Sequence, residues 1–147
     1  MDDQLVTEAV LLAKRTAIDH GLNPTLVCAV VEQESGWNSW AVRFEPVFEH
    51  RYIRPALPMA PTTEELCLAI SWGLMQVMGQ TAREHGFKGK FLNELCDPAV
   101  GLSIGCAVLA AKLEKARGDI EKALLLWNGG SNLAYPGQVE ARMQKYH

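Results

Sequence analysis

The sequence predicts a mainly α domain, and three observations carry that prediction. Apolar residues recur at helical spacing along nearly the whole chain. Helix-capping signatures punctuate it. No stretch shows the period-two alternation of a strand. The 147 residues are enough for one domain, read here over 1–147 with neither linker nor internal repeat.

Each element has its own signal. Leu5, Ala9, Leu12 and Ala13 place an apolar stripe on a helix over residues 5–19, stopped at Gly21. Asn23-Pro24 reads as an N-cap followed by proline at the first helical position, opening a helix over 24–35 that ends at Ser35-Gly36. From Trp37 to Pro61 the chain reads as irregular, with prolines at 46, 55, 58 and 61. A loop of that length inside a small domain is usually functional or mobile. Thr62 and Glu65 form a capping box that opens a helix reaching about Ser71. Residues 74–85 read as short helical pieces ending at Gly86. Asp97-Pro98 starts the longest helix, over 98–117, in which Gly101 and Gly105 would permit a close helix crossing. Asp119 caps a helix running to Trp127, Asn128-Gly129-Gly130 breaks it, and Pro136 begins the last.

Composition removes several function classes. Apolar residues make up 48% and charged residues 21%, which favours a buried core over disorder. The 14 Lys and Arg are outnumbered by 17 Asp and Glu, for a net charge of -3. Nucleic-acid binding needs clustered cations to displace counterions, so no such partner is expected. No apolar run approaches the roughly 20 residues of a membrane span, and stable membrane insertion is not expected. The first twenty residues begin with two acids and mix polar with apolar side chains, unlike a secretory signal. Cys28, Cys67, Cys96 and Cys106 are widely spaced, as are His20, His50, His85 and His147. Zinc sites usually show paired ligands, so neither metal nor cofactor is implied. The cysteines read as small buried hydrophobes on helices, with a disulfide left open.

One helix carries the chemistry. At about 100° per residue, Val27 lies about 20° from Glu34, with Val30 and Val31 about 40° and 60° away on either side. Glu34 thus sits at the centre of the apolar stripe, while Glu32 points to the opposite face, toward water. Burial disfavours the charged form of a carboxyl group, and a protonated acid near neutral pH can serve as general acid. On periodicity alone, an acid at a frayed helix end, hydrated or paired with an arginine, is the stronger reading.

Two later segments bear on that choice. Trp72-Gly73-Leu74-Met75-Gln76 joins a flexible glycine to an apolar pair and an amide. Trp127-Asn128-Gly129-Gly130 ends a helix on an amide and two glycines, with Tyr135 shortly after. Aromatic and Met faces stack on sugar rings, and amides bind N-acetyl and hydroxyl groups. Each alone is weak, because such residues are more often core or turn.

Taken together and in order, Glu34-Ser35-Gly36-Trp37-Asn38, Gly73-Leu74-Met75-Gln76, Trp127-Asn128-Gly129-Gly130 and Tyr135 resemble the soluble lytic transglycosylase catalytic domain, which has a lysozyme-like fold. The resemblance is strongest over 22–143. It implies a peptidoglycan glycan strand as substrate, cut at the β-1,4 bond between N-acetylmuramic acid and N-acetylglucosamine. It makes Glu34 the catalytic acid and base. It gives Ser35 the orienting of the substrate or leaving group, and places Met75 and Gln76 in the cleft wall. Asn128 and Tyr135 would hold the sugar and the Glu34 carboxyl group. Trp127 departs from the family, which typically has tyrosine there: it keeps a stacking face and replaces a hydroxyl with an indole N–H. Pro136 after Tyr135 is also less usual.

Most glycosidases use two carboxyl groups. The family implied here manages with one, because the C6 hydroxyl of the muramic acid attacks C1 intramolecularly and closes a 1,6-anhydro ring. Glu45, in Arg43-Phe44-Glu45-Pro46, is the residue that could change this to hydrolysis by activating water or could touch substrate. Pairing with Arg43, Arg51 or Arg54 as a loop staple is the favoured reading of Glu45, and Glu49, Glu64 and Glu65 have weaker claims. A non-catalytic glycan-binding protein is the third alternative. With no export signal read, a wall-cleaving protein made in the cytoplasm is expected to reach the wall through a pore, a virion or a secretion machine. The small single-domain form resembles phage lysis or virion-associated enzymes, with a secretion-linked bacterial enzyme as the alternative, and a monomer is expected. Arg142 and Lys145 are too few for a membrane-disrupting tail.

Overall fold

Helix ends are set by local chemistry, and most fall where the sequence places them. The computed structural model describes residues 2–56 and 62–147. The Asp2 carboxylate accepts from the Gln4 amide and opens α1 (Asp3–Asp19). Asn23 accepts from the Thr25 amide and, with Pro24, opens α2 (Pro24–Ser35). Gly36 closes α2 in the left-handed region at φ 57°, which costs a glycine little. Residues 26 to 31 of α2 are all buried, so this helix runs through the core with α1 on one side and the last helix on the other.

The stretch from Trp37 onward departs from the expectation of irregular chain. It holds β1 (Val42–Phe44), a helical turn α3 (Pro46–Phe48), a π-helical turn over Glu49–Ile53 and a 3-10 turn over Arg54–Ala56. Pro58 and Pro61 lie outside the described residues. The Thr62–Glu65 capping box forms reciprocally and opens α4 (Thr63–Cys67). That helix stops short of the expected Ser71, because β2 (Ile70–Trp72) leaves it to pair on both edges. Antiparallel pairing sets Val42 opposite Trp72 and Phe44 opposite Ile70. On the other edge Trp72 lies opposite Val77 of β3 (Val77–Met78). Strands of two and three residues are too short to show alternation, so the sheet was invisible to the periodicity argument.

The remaining helices follow their caps. After α5 (Gly79–Glu84) and a 3-10 turn over Leu92–Cys96, Asp97 accepts from the Ala99 and Val100 amides and opens α6 (Pro98–Lys115). Asp119 opens α7 (Ile120–Trp127) through the Lys122 amide, and α8 (Tyr135–Met143) carries Pro136 in its first turn. The architecture is mainly α with a small antiparallel sheet.

Gly101 and Gly105 do permit a close approach, but not of a second helix. A Cβ on Gly101 would stand 2.4 Å from the Leu95 carbonyl oxygen, and one on Gly105 would stand 2.3 Å from Met75 Sδ. The stripe seats the 3-10 turn and a methionine instead. The four cysteines are free; Cys28, Cys96 and Cys106 are buried, and Cys67 is half-buried. Burial pushes the Cys28 thiol up to about 11 and the Cys106 thiol up to about 12, so both are inert. No helix among the described residues is long and apolar enough to cross a membrane.

Candidate active site

Glu34 occupies the last turn of α2, where the apolar stripe delivers it half-buried against the ends of two other helices. The Trp127 indole N–H, at the end of α7, donates to Glu34 Oε1 at 3.0 Å. The Tyr135 hydroxyl, at the start of α8, donates to the same oxygen at 2.5 Å. The other oxygen, Oε2, takes no hydrogen bond among the described residues, and the residue as a whole is only partly buried. Desolvation raises the Glu34 pKa above the ordinary carboxyl value. The bonds from Tyr135 and Trp127 and the charge of Arg43 oppose it, and the charge of Glu45 adds to it. Burial outweighs these opposing influences, so the carboxyl group holds its proton more tightly than in water.

The β1 side supplies the charges. Arg43 Nε lies 2.9 Å from Glu45 Oε1, and a second guanidinium nitrogen donates to Glu45 Oε2 at 3.3 Å. Glu45 is therefore paired within its own loop. Glu49 and Glu64 are likewise taken, by Arg54 at 2.9 Å and Arg83 at 2.7 Å.

The other sequence-derived candidates have different surroundings from those expected. Met75 is 1% exposed and packs against Gly105, so it belongs to the core and not to a cleft wall. The Gln76 amide nitrogen donates to the Ala41 and Gly73 carbonyls at 2.9 Å each, while its oxygen accepts from Ser71 at 3.0 Å. That amide braces the β2–β3 turn, where Gln76 itself has φ 51°, and offers no free donor to a sugar. Ser35 Oγ donates back to the Val31 carbonyl at 3.1 Å. Asn128 spends its side chain on its own turn: Nδ2 donates to the Asn132 carbonyl, and Oδ1 accepts from the Gly130 amide, both at 2.8 Å. Of the expected pair, Tyr135 reaches Glu34 and Asn128 shapes the connection that places Tyr135.

Glu32 is the clearest departure. Its carboxylate does not stand in water but is gripped by the C-terminal segment. Lys145 Nζ bonds to Oε1 and the Tyr146 hydroxyl to Oε2, each at 2.5 Å, with Arg142 Nε 3.8 Å away. Trp37 Nε1 donates to the Tyr146 hydroxyl oxygen at 2.8 Å. Trp37 sits at φ 69°, a strained value for a tryptophan. Nothing in the local sequence signals a clamp between residues 113 and 114 positions apart.

Two concavities lie elsewhere: one of about 410 Å³ bordered by Leu5, Leu12, Trp37 and Trp40, and one of about 590 Å³ by Pro46, Val47, His50 and Arg51. Neither includes Glu34. No group of three or more potential metal ligands occurs among the described residues.

Comparison with known proteins places these features in context. The transglycosylase SLT domain family matches residues 12–141. A protein named "Transglycosylase" from Enterobacteria phage PRD1 is 30% identical over 128 residues, covering 82% of this chain. The match spans 37% of that longer relative. No solved structure matches.

Proposed function

The chain belongs to the transglycosylase SLT domain family, and we propose that it cleaves peptidoglycan non-hydrolytically with Glu34 as its single acid and base. One observation carries the reading. A half-buried carboxyl group with a raised pKa has one oxygen anchored by two donors and the other without a hydrogen bond among the described residues. Glu34 protonates the oxygen of the β-1,4 bond between N-acetylmuramic acid and N-acetylglucosamine, and that bond breaks. The carboxylate then takes the proton of the muramic acid C6 hydroxyl, whose oxygen attacks C1 and closes a 1,6-anhydro ring. Proximity within one sugar replaces the second carboxylate that a hydrolase needs.

The Arg43 pairing of Glu45 supports this single-carboxylate reading, since both carboxylate oxygens are already engaged by the guanidinium. Tyr135 serves as the anchor of Glu34, and Ser35, Gln76 and Asn128 contribute by bracing the segments around it. The PRD1 relative supports a phage-type setting. We further propose a monomer made in the cytoplasm that acts on the wall after release through a pore, a virion or a secretion machine. Turbidity clearing of purified cell walls tests the activity directly: this chain should clear them, and Glu34→Gln should not. A chain that binds walls without clearing them would be a glycan-binding protein instead.

A further inference from the structure

Trp127 presents a donor that cannot reverse its role. An indole N–H donates and never accepts, whereas a hydroxyl in its place could do either. Both Trp127 Nε1 and the Tyr135 hydroxyl are directed at Glu34 Oε1, at 3.0 and 2.5 Å. An oxygen that already accepts two hydrogen bonds is the poorer place for a third hydrogen, while Oε2 takes none among the described residues.

We propose that Trp127 is a positioning residue that, with Tyr135, fixes Oε1 as the carbonyl oxygen of neutral Glu34 and confines the transferable proton to Oε2. This rests on the reading of Glu34 as the acid. The proton then always leaves from the oxygen that faces the ligand: Oε2–H breaks as the bond to the glycosidic oxygen forms, and the negative charge left behind spreads onto an Oε1 already held by two donors. If a hydroxyl stood at position 127, turned to accept, the proton could settle on Oε1 and face the protein. Tyr135 alone does not exclude that state, because its own hydroxyl can turn and accept.

The test replaces one atom. Tryptophan at 127 is exchanged site-specifically for its benzothienyl analogue, in which sulfur replaces N–H and the shape is kept; Trp127→Phe is the second variant. The carboxyl C=O stretch of Glu34 is isolated by infrared difference spectroscopy between low and high pH, with Glu34→Gln subtracted. Loss of one hydrogen bond to the carbonyl oxygen should move that band to higher frequency. The alkaline limb of the activity profile should move to higher pH, because a donor that favoured the carboxylate has gone while Tyr135, Arg43 and Glu45 still face the group. The rate at the optimum should fall on the order of tenfold. A purely space-filling role would leave band and limb unmoved in the benzothienyl variant, which keeps the shape, and would move them only in Trp127→Phe; that result would overturn the proposal alone. Retained wall clearing by Glu34→Gln would overturn the acid assignment and the proposal with it.

Discussion

The Tyr135 hydroxyl donates to Glu34 Oε1 across 101 positions of sequence, joining the first residue of α8 to the last turn of α2. That contact favours the carboxylate and so opposes the burial that raises the Glu34 pKa. The balance lies with burial, and several outcomes follow from its sign.

Replacing Glu34 by glutamine should abolish wall clearing, by at least about a thousandfold, since general acid catalysis supplies effects of this order. The amide oxygen can still accept from Trp127 and Tyr135, so the fold should survive. A folded-state pKa above the unfolded one means that stability is fully present below the ordinary carboxyl value of 4.5 and declines as pH rises through the folded pKa. Glu34→Gln escapes that decline. Thermal melts should show it more stable than the parent at neutral pH and equal to it near pH 3. A neutral-pH melt below the parent's would contradict the burial argument.

Activity itself should be lost as pH rises through the Glu34 pKa, because the protonated acid begins the reaction. Titration of the free enzyme by NMR should give a Glu34 pKa above 4.5, in agreement with the alkaline limb. A lowered value would place the opposing bonds and the Arg43 charge in command.

Glu45→Gln should cost much less than Glu34→Gln, around tenfold or under, since Glu45 is paired with Arg43 and acts on Glu34 only through its charge. Equal losses in well-folded variants would make the two-carboxylate mechanism the better account.

Helix starts were legible because each rests on a short local signal: Asn23-Pro24, Thr62 with Glu65, Asp97-Pro98 and Asp119 all open helices. The sheet was not, since Val42, Trp72 and Val77 find one another through pairing and not through any pattern of their own. The same division runs through the site. Glu34 is placed by its stripe and Tyr135 by its motif, but nothing local to Trp127 signals its hydrogen bond to a residue 93 positions away. Met75 lies buried against Gly105, and an apolar residue beside a motif reads the same whether it faces a cleft or a glycine across the core. Glu32 was assigned to water by the helical wheel, which knows nothing of a C-terminal segment folding back over it.

That segment should be worth measurable stability. Burial pushes the Glu32 pKa up, but the bonds from Lys145 and Tyr146 and the charges of Lys145 and Arg142 outweigh it and hold the group below its ordinary value. Tyr146→Phe removes a hydrogen bond to a charged group and frees Trp37, and should cost about 1–3 kcal/mol at neutral pH. A lowered folded pKa means the Glu32 contribution is present above 4.5 and is lost as pH falls through the folded value. The penalty of Tyr146→Phe should therefore shrink in acid. Urea melts at pH 7 and pH 3 check this, and an equal penalty at both would show that the hydroxyl acts only on Trp37.

The account stands on a single carboxyl group that is first acid and then base, and the product records whether that is so. Purified peptidoglycan is digested in oxygen-18 water and the muropeptides are weighed by mass spectrometry. Closure by the C6 hydroxyl gives 1,6-anhydro muramic acid ends, lighter by one water than hydrolytic products, without a reducing end and without label. Heavy oxygen at C1 in most products would mean that water, and not the sugar's own hydroxyl, is the nucleophile.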